Sequence, residues 1–184
     1  MRAMLLPERG TALVAVHMPM PQPAPGQVRL AIEACGVCRT DLHVVDGELA
    51  GGMLPVIPGH EIVGRVDALG AGVEGLAPGR RVGVPWLGHT CGECLDCLRG
   101  DENLCGQARF TGHHLHGGYA SHCIADARYC FPLDETAGAA QLAPLLCAGL
   151  IGYRSWAMAR AHAPGMRRIG LYGFGAAAHI LAQV

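Results

Sequence analysis

The sequence predicts a β-rich domain over residues 1–148 and the opening βα unit of an α/β domain over residues 149–184. Three observations lead there. The 27 glycines and 12 prolines among 184 residues cut the first two-thirds of the chain into short segments joined by turns. Within several of those segments apolar and polar or small residues alternate with a period of two. Near Gln141 the texture changes to helical material, then to a short apolar run and a glycine-rich turn.

Residues 11–16 read as a strand. Residues 19–26 hold four prolines and must be an extended loop. Residues 27–35 set Val28, Leu30, Ile32 and Ala34 against polar or small partners, the pattern of a half-buried strand. Residues 38–45 read as a short helix closed by Asp46-Gly47. Residues 61–69 and 80–84 are further strands bounded by Gly or Pro, and residues 119–125 and 128–132 are short ones. Residues 141–163, rich in Leu, Ala, Ile, Met and Trp, read as one helix stopped by Pro164-Gly165. Residues 168–172 then suit a buried parallel strand, and residues 176–184 open a helix.

Hydrophobic residues make up 51% and charged residues 16% of the chain, so a packed core is expected rather than disorder. A net charge of −1 offers no electrostatic case for a nucleic-acid or acidic-membrane partner. The apolar stretches are too short to span a membrane. Pro7, Glu8 and Arg9 interrupt any signal-peptide core, so a cytoplasmic protein is expected. Nine cysteines cannot all pair internally, and ten histidines accompany them; without a secretory signal this favours metal or catalytic use.

The strongest local signal is Cys91-Gly-Glu-Cys94-Leu-Asp-Cys97-x7-Cys105. Two-residue gaps let one loop wrap round an ion while the fourth thiol closes a tetrahedral site. Zinc suits four thiolates, and a site full of protein ligands is structural. Such an ion would stand in for a core in a lobe at about residues 88–108 and stabilise it by several kcal/mol. An iron–sulfur cluster or a single iron is the alternative. Unrelated core cysteines fit poorly with the Gly, Glu, Asp and Arg around them, and a nucleic-acid-binding ribbon fits poorly with the neutral charge.

A second constellation is spread along the chain: Cys35-Gly36-Val37-Cys38-Arg39-Thr40-Asp41-Leu42-His43, Pro58-Gly59-His60-Glu61, and Pro144-Leu145-Leu146-Cys147-Ala148-Gly149-Leu150. With the four-cysteine loop, these stretches resemble the zinc-dependent alcohol dehydrogenases of the medium-chain dehydrogenase/reductase superfamily. Trp86 and the wording around Cys147 look closest to the tetrameric microbial enzymes. The resemblance implies a GroES-like catalytic domain followed by a Rossmann domain. It places Cys38, His60 and Cys147 on a catalytic zinc with one open position, and Cys91, Cys94, Cys97 and Cys105 on a structural zinc, two ions per chain. It implies that Asp41 orients His60, although Asp41 also suits a cap of the short helix. It implies that Glu61 approaches the metal during ligand exchange, that Thr40 hydrogen-bonds the alcohol, and that His43 passes the proton to solvent. Arg39 would contact the cofactor pyrophosphate, and Trp86 would line the substrate pocket. The implied reaction moves a hydride between an alcohol, held as the alkoxide on zinc, and NAD or NADP, giving an aldehyde or ketone. A full-length form is expected to be a homo-oligomer.

Gly173-x-Gly175-x-x-Ala178, after an apolar run and opening a helix, fits a dinucleotide-binding turn whose glycines let the backbone approach a pyrophosphate. The acidic residue expected about 20 positions further on lies past Val184, so NAD and NADP are not separated. Relatives are roughly twice this length. The chain is therefore expected to be truncated, to leave apolar surface around residues 145–184 exposed, and to be inactive on its own; a non-catalytic zinc-binding module is the competing possibility. His113, His114 and His116 read as a surface loop. Cys35, Cys123 and Cys130 read as small buried residues.

Overall fold

A computed structural model describes residues 1–184. In chain order the strands are β1 (Arg2–Leu5), β2 (Val14–His17), β3 (Gln27–Gly36), β4 (Glu61–Leu69), β5 (Arg81–Val84), β6 (Leu87–His89), β7 (Arg109–Phe110), β8 (His122–Asp126) and β9 (Phe131–Pro132). The helices are α1 (Arg39–Asp46), α2 (Leu95–Leu98), α3 (Ala139–Leu142), α4 (Ala148–His162) and α5 (Ala176–Leu181), with 3-10 turns at Glu102–Leu104, Ala127–Tyr129 and Ala143–Leu146.

The centre is a five-stranded antiparallel sheet ordered β8-β3-β4-β5-β9. Side chains alternate across a strand, so one face gathers Val28 and Leu30, Ile62 and Val66, Val82 and Val84, and Cys123 and Ala125 into one buried cluster. The other face of β4 carries Val63, which packs on Ala143 and Leu146. Neighbouring residues of a single strand thus hold the core on one side and the 3-10 turn leading to Cys147 on the other. A third cluster, Leu6 with Val44 and Val56, ties the N-terminal segment to α1, and Trp86 packs against it.

Several elements differ from the sequence expectation. Residues 141–163 are not one helix. Pro144 has no N–H to donate, and the chain passes through a 3-10 turn and a non-helical Cys147 (φ −132°, ψ −75°) before α4 begins. Residues 168–172 form no strand, and Ile169, Leu171 and Tyr172 are exposed. A strand needs a hydrogen-bonded neighbour, and this run pairs with no strand. Residues 119–121 lie outside β8, which starts at His122, and Ala127–Tyr129 is a 3-10 turn. The paired strands β1, β6 and β7 were not evident in the sequence. The apolar surface expected late in the chain is there: Leu150, Ile151, Tyr153, Met158 and Phe174 are all exposed. No helix is long and apolar enough to cross a membrane.

Arg81 pins the C-terminal approach to the site. Its buried guanidinium donates to the carbonyls of Asp134, Glu135 and Ala137 and pairs with Glu33 at 2.8 Å. Replacing Arg81 by Leu leaves three carbonyls and a carboxylate without their donor. The expected cost is about 3 kcal/mol, read as a fall in the denaturant midpoint.

Candidate functional site

Register brings the first two donors together. β3 and β4 run antiparallel with Gly36 opposite Glu61, so the residues just beyond both strands emerge at the same end of the sheet. Cys38 follows β3 as the N-cap of α1, and His60 directly precedes β4. Cys38 Sγ lies 3.4 Å from His60 Nε2. Cys147 arrives from a third direction, at the break between the 3-10 turn and α4, seated by Leu146 against Val63 and beneath Gly83. The donor atoms of Cys38, His60, Glu61 and Cys147 all lie within 4.8 Å of one another. Gly36 sits beside them, where a Cβ would displace the Glu61 carboxylate.

Asp41 serves both of the roles open to it from the sequence. Its Oδ2 accepts the backbone N–H of Cys38 at 2.9 Å, closing a capping box on α1. Its Oδ1 lies 2.9 Å from His60 Nδ1. An ionised carboxylate only accepts, so this contact puts the imidazole proton on Nδ1 and leaves the Nε2 lone pair facing Cys38. His60 is fully buried; Trp86 meets it edge-on with ring centroids 5.1 Å apart. Trp86 is in turn stacked on Phe110 at 5.0 Å and on His113 at 6.0 Å.

The site concentrates acidic groups. Burial, and then the charge of Cys38 and Glu61, pushes the Cys147 thiol up to about 12. Burial also raises Glu61, partly offset by His60. Two thiols and two buried carboxylates facing one imidazole repel one another when ionised, an imbalance that a divalent cation relieves.

Along α1, Arg39 is exposed, Thr40 is half-buried with its N–H donating to Cys38 Sγ at 3.2 Å, and His43 pairs through Nδ1 with the Glu48 carboxylate. Gly173, Gly175 and Ala178 belong to a separate segment. Gly173 is left-handed (φ +88°), and Gly175 caps α5, which packs on α4.

The second cluster is the cysteine lobe. Sulfur separations are 3.5 Å for Cys94–Cys97, 3.6 Å for Cys105–Cys91 and 3.9 Å for Cys91–Cys97. A tetrahedral zinc with bonds of about 2.3 Å would set its sulfurs about 3.8 Å apart, so the donors fit that ion. Leu95, Leu98 and Leu104 are exposed, and the lobe has no core of its own.

The histidine trio is not a surface loop. His113 is buried, its Nε2 lies 3.1 Å from the Ala50 carbonyl, and its own carbonyl accepts from Met53. His116 is half-buried and accepts from Ile57 at 3.2 Å. The glycines on both sides of the trio signalled close packing; the aromatic partner Trp86 lies too far away in sequence for a local pattern to reveal it. Cys123 and Cys130 are buried, and Cys35 is half-buried. A cavity of about 800 Å³ is lined by His89, His122 and Arg128 and by none of the Cys38 cluster, so donor chemistry rather than this cavity marks the site.

Residues 24–135 match the family of the alcohol dehydrogenase GroES-like domain. The chain is 51% identical over 170 residues to a protein named probable alcohol dehydrogenase AdhA from Mycobacterium tuberculosis, covering 90% of this chain and 49% of that one. It is 40% identical over 184 residues to an alcohol dehydrogenase of Geobacillus stearothermophilus, covering all of this chain and 54% of that one. Among solved structures, a cinnamyl alcohol dehydrogenase of Sorghum bicolor superposes with a TM-score of 0.87 at 29% identity, over 98% of this chain and 53% of that one. A CAD from Helicobacter pylori, solved with NADP(H), gives 0.79 at 28% identity, over 86% of this chain and 48% of that one. The chain spans about half the length of the curated relatives it matches.

Thiol reactivity tests this electrostatic picture. In the metal-free chain, backbone N–H groups of Glu93 and Cys94 lower the Cys91 thiol to about 7. Burial pushes Cys130 to about 12 and Cys123 higher still. Because the thiolate is the nucleophile, alkylation of Cys91 should rise through about pH 7 and run ahead of Cys130. Cys123 and Cys130 should stay unlabelled until the chain unfolds, as peptide mapping by mass spectrometry would show.

Proposed function

This chain belongs to the family of alcohol dehydrogenases built on a GroES-like domain, within the medium-chain dehydrogenase/reductase superfamily, and on that premise we propose that it carries the metal-binding and proton-handling half of a zinc-dependent, nicotinamide-linked alcohol dehydrogenase. The observation that carries this reading is the convergence of Cys38, His60 and Cys147, two thiols and an imidazole, within one 4.8 Å cluster. Three protein ligands of this kind suit a zinc that keeps one position for substrate, with Glu61 the carboxylate beside that position. When bound, a zinc held by Cys38, His60 and Cys147 would supply Lewis acidity to the alcohol oxygen, and a nicotinamide would supply the hydride acceptor.

The chain's own residues do the rest. Asp41 holds the His60 ring so that Nε2 faces the donors. The Thr40 hydroxyl hydrogen-bonds and orients the substrate oxygen, and it relays the proton by giving up its own hydrogen as it accepts the substrate's. His43, half-buried and paired with Glu48, delivers that proton to solvent. Exposed Arg39 gives the cofactor phosphates a fixed cation. Trp86, packed edge-on against His60, limits the size of the alcohol or carbonyl substrate. Cys91, Cys94, Cys97 and Cys105 hold a second, structural zinc.

We assign the catalytic domain to residues 1–148, with its lobe at about residues 88–108, and the start of the cofactor domain to residues 149–184, whose Gly173, Gly175 and Ala178 form the phosphate turn. Residues 168–172 form no strand, so this segment alone holds a dinucleotide weakly. The competing reading, a non-catalytic zinc-binding module, draws on the completeness of both donor clusters within this chain.

Metal analysis tests the assignment. The purified chain should hold about two zinc ions, with Cys38→Ser removing one and Cys94→Ser the other. Iron in place of zinc, or equal loss from both variants, would overturn the partition. Fused to the cofactor-binding half of a relative, the chain should support alcohol-dependent NADH or NADPH formation that Cys38→Ser abolishes; a folded fusion with both zincs and no such activity would leave the module reading.

A further inference from the structure

Arg128 stands at the root of the cysteine lobe, and none of the roles above uses it. Its guanidinium joins two elements. Nε and Nη2 donate to the Asp126 carboxylate at the end of β8, at 3.1 and 2.7 Å. Nη2 also donates to the Thr90 carbonyl at 3.1 Å, and Thr90 is the residue before Cys91. A Cβ on Gly92 would lie 3.3 Å from Nη1, so the guanidinium covers the backbone on both sides of Cys91. Thr90 itself is buried, with its hydroxyl 2.7 Å from the Tyr129 hydroxyl. Asp126 also accepts the backbone N–H of Arg128 at 3.0 Å and lies 2.9 Å from His89 Nδ1. The first cysteine of the lobe is therefore tied to the central sheet through one cation and one carboxylate.

The charge around the lobe gives this tie a second consequence. Residues 88–108 contain Glu93, Asp96, Asp101 and Glu102 against Arg99 alone, a net charge of −3. Four thiolates around a divalent ion leave a further −2. Arg128 comes from outside the lobe and, as a permanent cation, sets a positive charge beside Thr90 and Cys91 at its root.

We infer that Arg128 is a positioning residue for the metal of the lobe, clamping Thr90 so that Cys91 stays in the donor set and offsetting the charge of the thiolates. It slows escape of the ion from Cys91, Cys94, Cys97 and Cys105. This inference rests on the zinc reading of the lobe.

The test follows release of zinc from the loaded chain to a chromophoric chelator. The lobe's phase is identified as the one missing from Cys94→Ser. Arg128→Met should release that zinc about ten- to a hundredfold faster, the usual effect of removing a group that supports a metal ligand, while release from the Cys38 cluster keeps its rate. Arg128→Lys should recover part of the loss, because it keeps the charge but cannot span Asp126 and Thr90. The gap between Arg128→Met and the parent should narrow at about 1 M salt. Should Arg128→Met fail to fold, Asp126→Asn, which keeps the cation but weakens its anchor, should also speed release from the lobe. A parental release rate in Arg128→Met, or equal acceleration at both clusters, overturns the inference while leaving the zinc reading intact. A parent with no phase that Cys94→Ser removes overturns both.

Discussion

The Asp41 carboxylate binds two parts of the site that the chain delivers separately. One oxygen holds the N–H of Cys38 where β3 turns into α1; the other holds the imidazole of His60 where the loop enters β4. Asp41 is buried, and a buried carboxylate is costly unless its lone pairs are used. Both partners make the burial tolerable, so helix start, ligand orientation and histidine tautomer are set together. Trp86 closes the other side of the imidazole, and Phe110 and His113 back the indole in turn. The ring is left one free direction, toward Cys38 and Cys147.

The two donor clusters are held by opposite means. Cys38, His60 and Cys147 are separated by long stretches of chain and converge because the central sheet is well packed: β3–β4 register brings in the first two, and the packing of Leu146 on Val63 brings in the third. Scaffold comes first, and donors follow. The lobe reverses the order. Its cysteines are near one another in sequence, its leucines face outward, and apart from the Arg128 and Thr90 contacts at its root the sulfurs alone gather it. On the proposed reading, a metal there supports the fold, and a metal at the Cys38 cluster supports the chemistry.

Residues 143–174 show where local patterns mislead. Alanine and leucine favour one long helix, yet the chain breaks at Pro144 and Cys147, and the break aims Cys147 at the site. Helix propensity is worth a few tenths of a kcal/mol per residue and yields to the packing of Ala143 and Leu146 against the sheet. The apolar run at 168–172 fails for a different reason: a strand is a property of a pair, and this run has no partner.

Short-range spacing settled what short-range geometry can settle. The four-cysteine loop, the strands at residues 27–36 and 61–69, and the helix stop at Gly47 were all legible, because donor reach, alternation and left-handed glycine depend only on neighbouring residues. The trio Cys38, His60 and Cys147 was named by resemblance; no local rule joins residues so far apart. Tertiary structure alone decided that Asp41 caps α1 and holds His60 at once, that His113 is buried beneath Trp86, and that Arg128 reaches the lobe. Each depends on which segments the sheet register and side-chain packing place side by side, and that is a property of the whole chain rather than of any stretch of it.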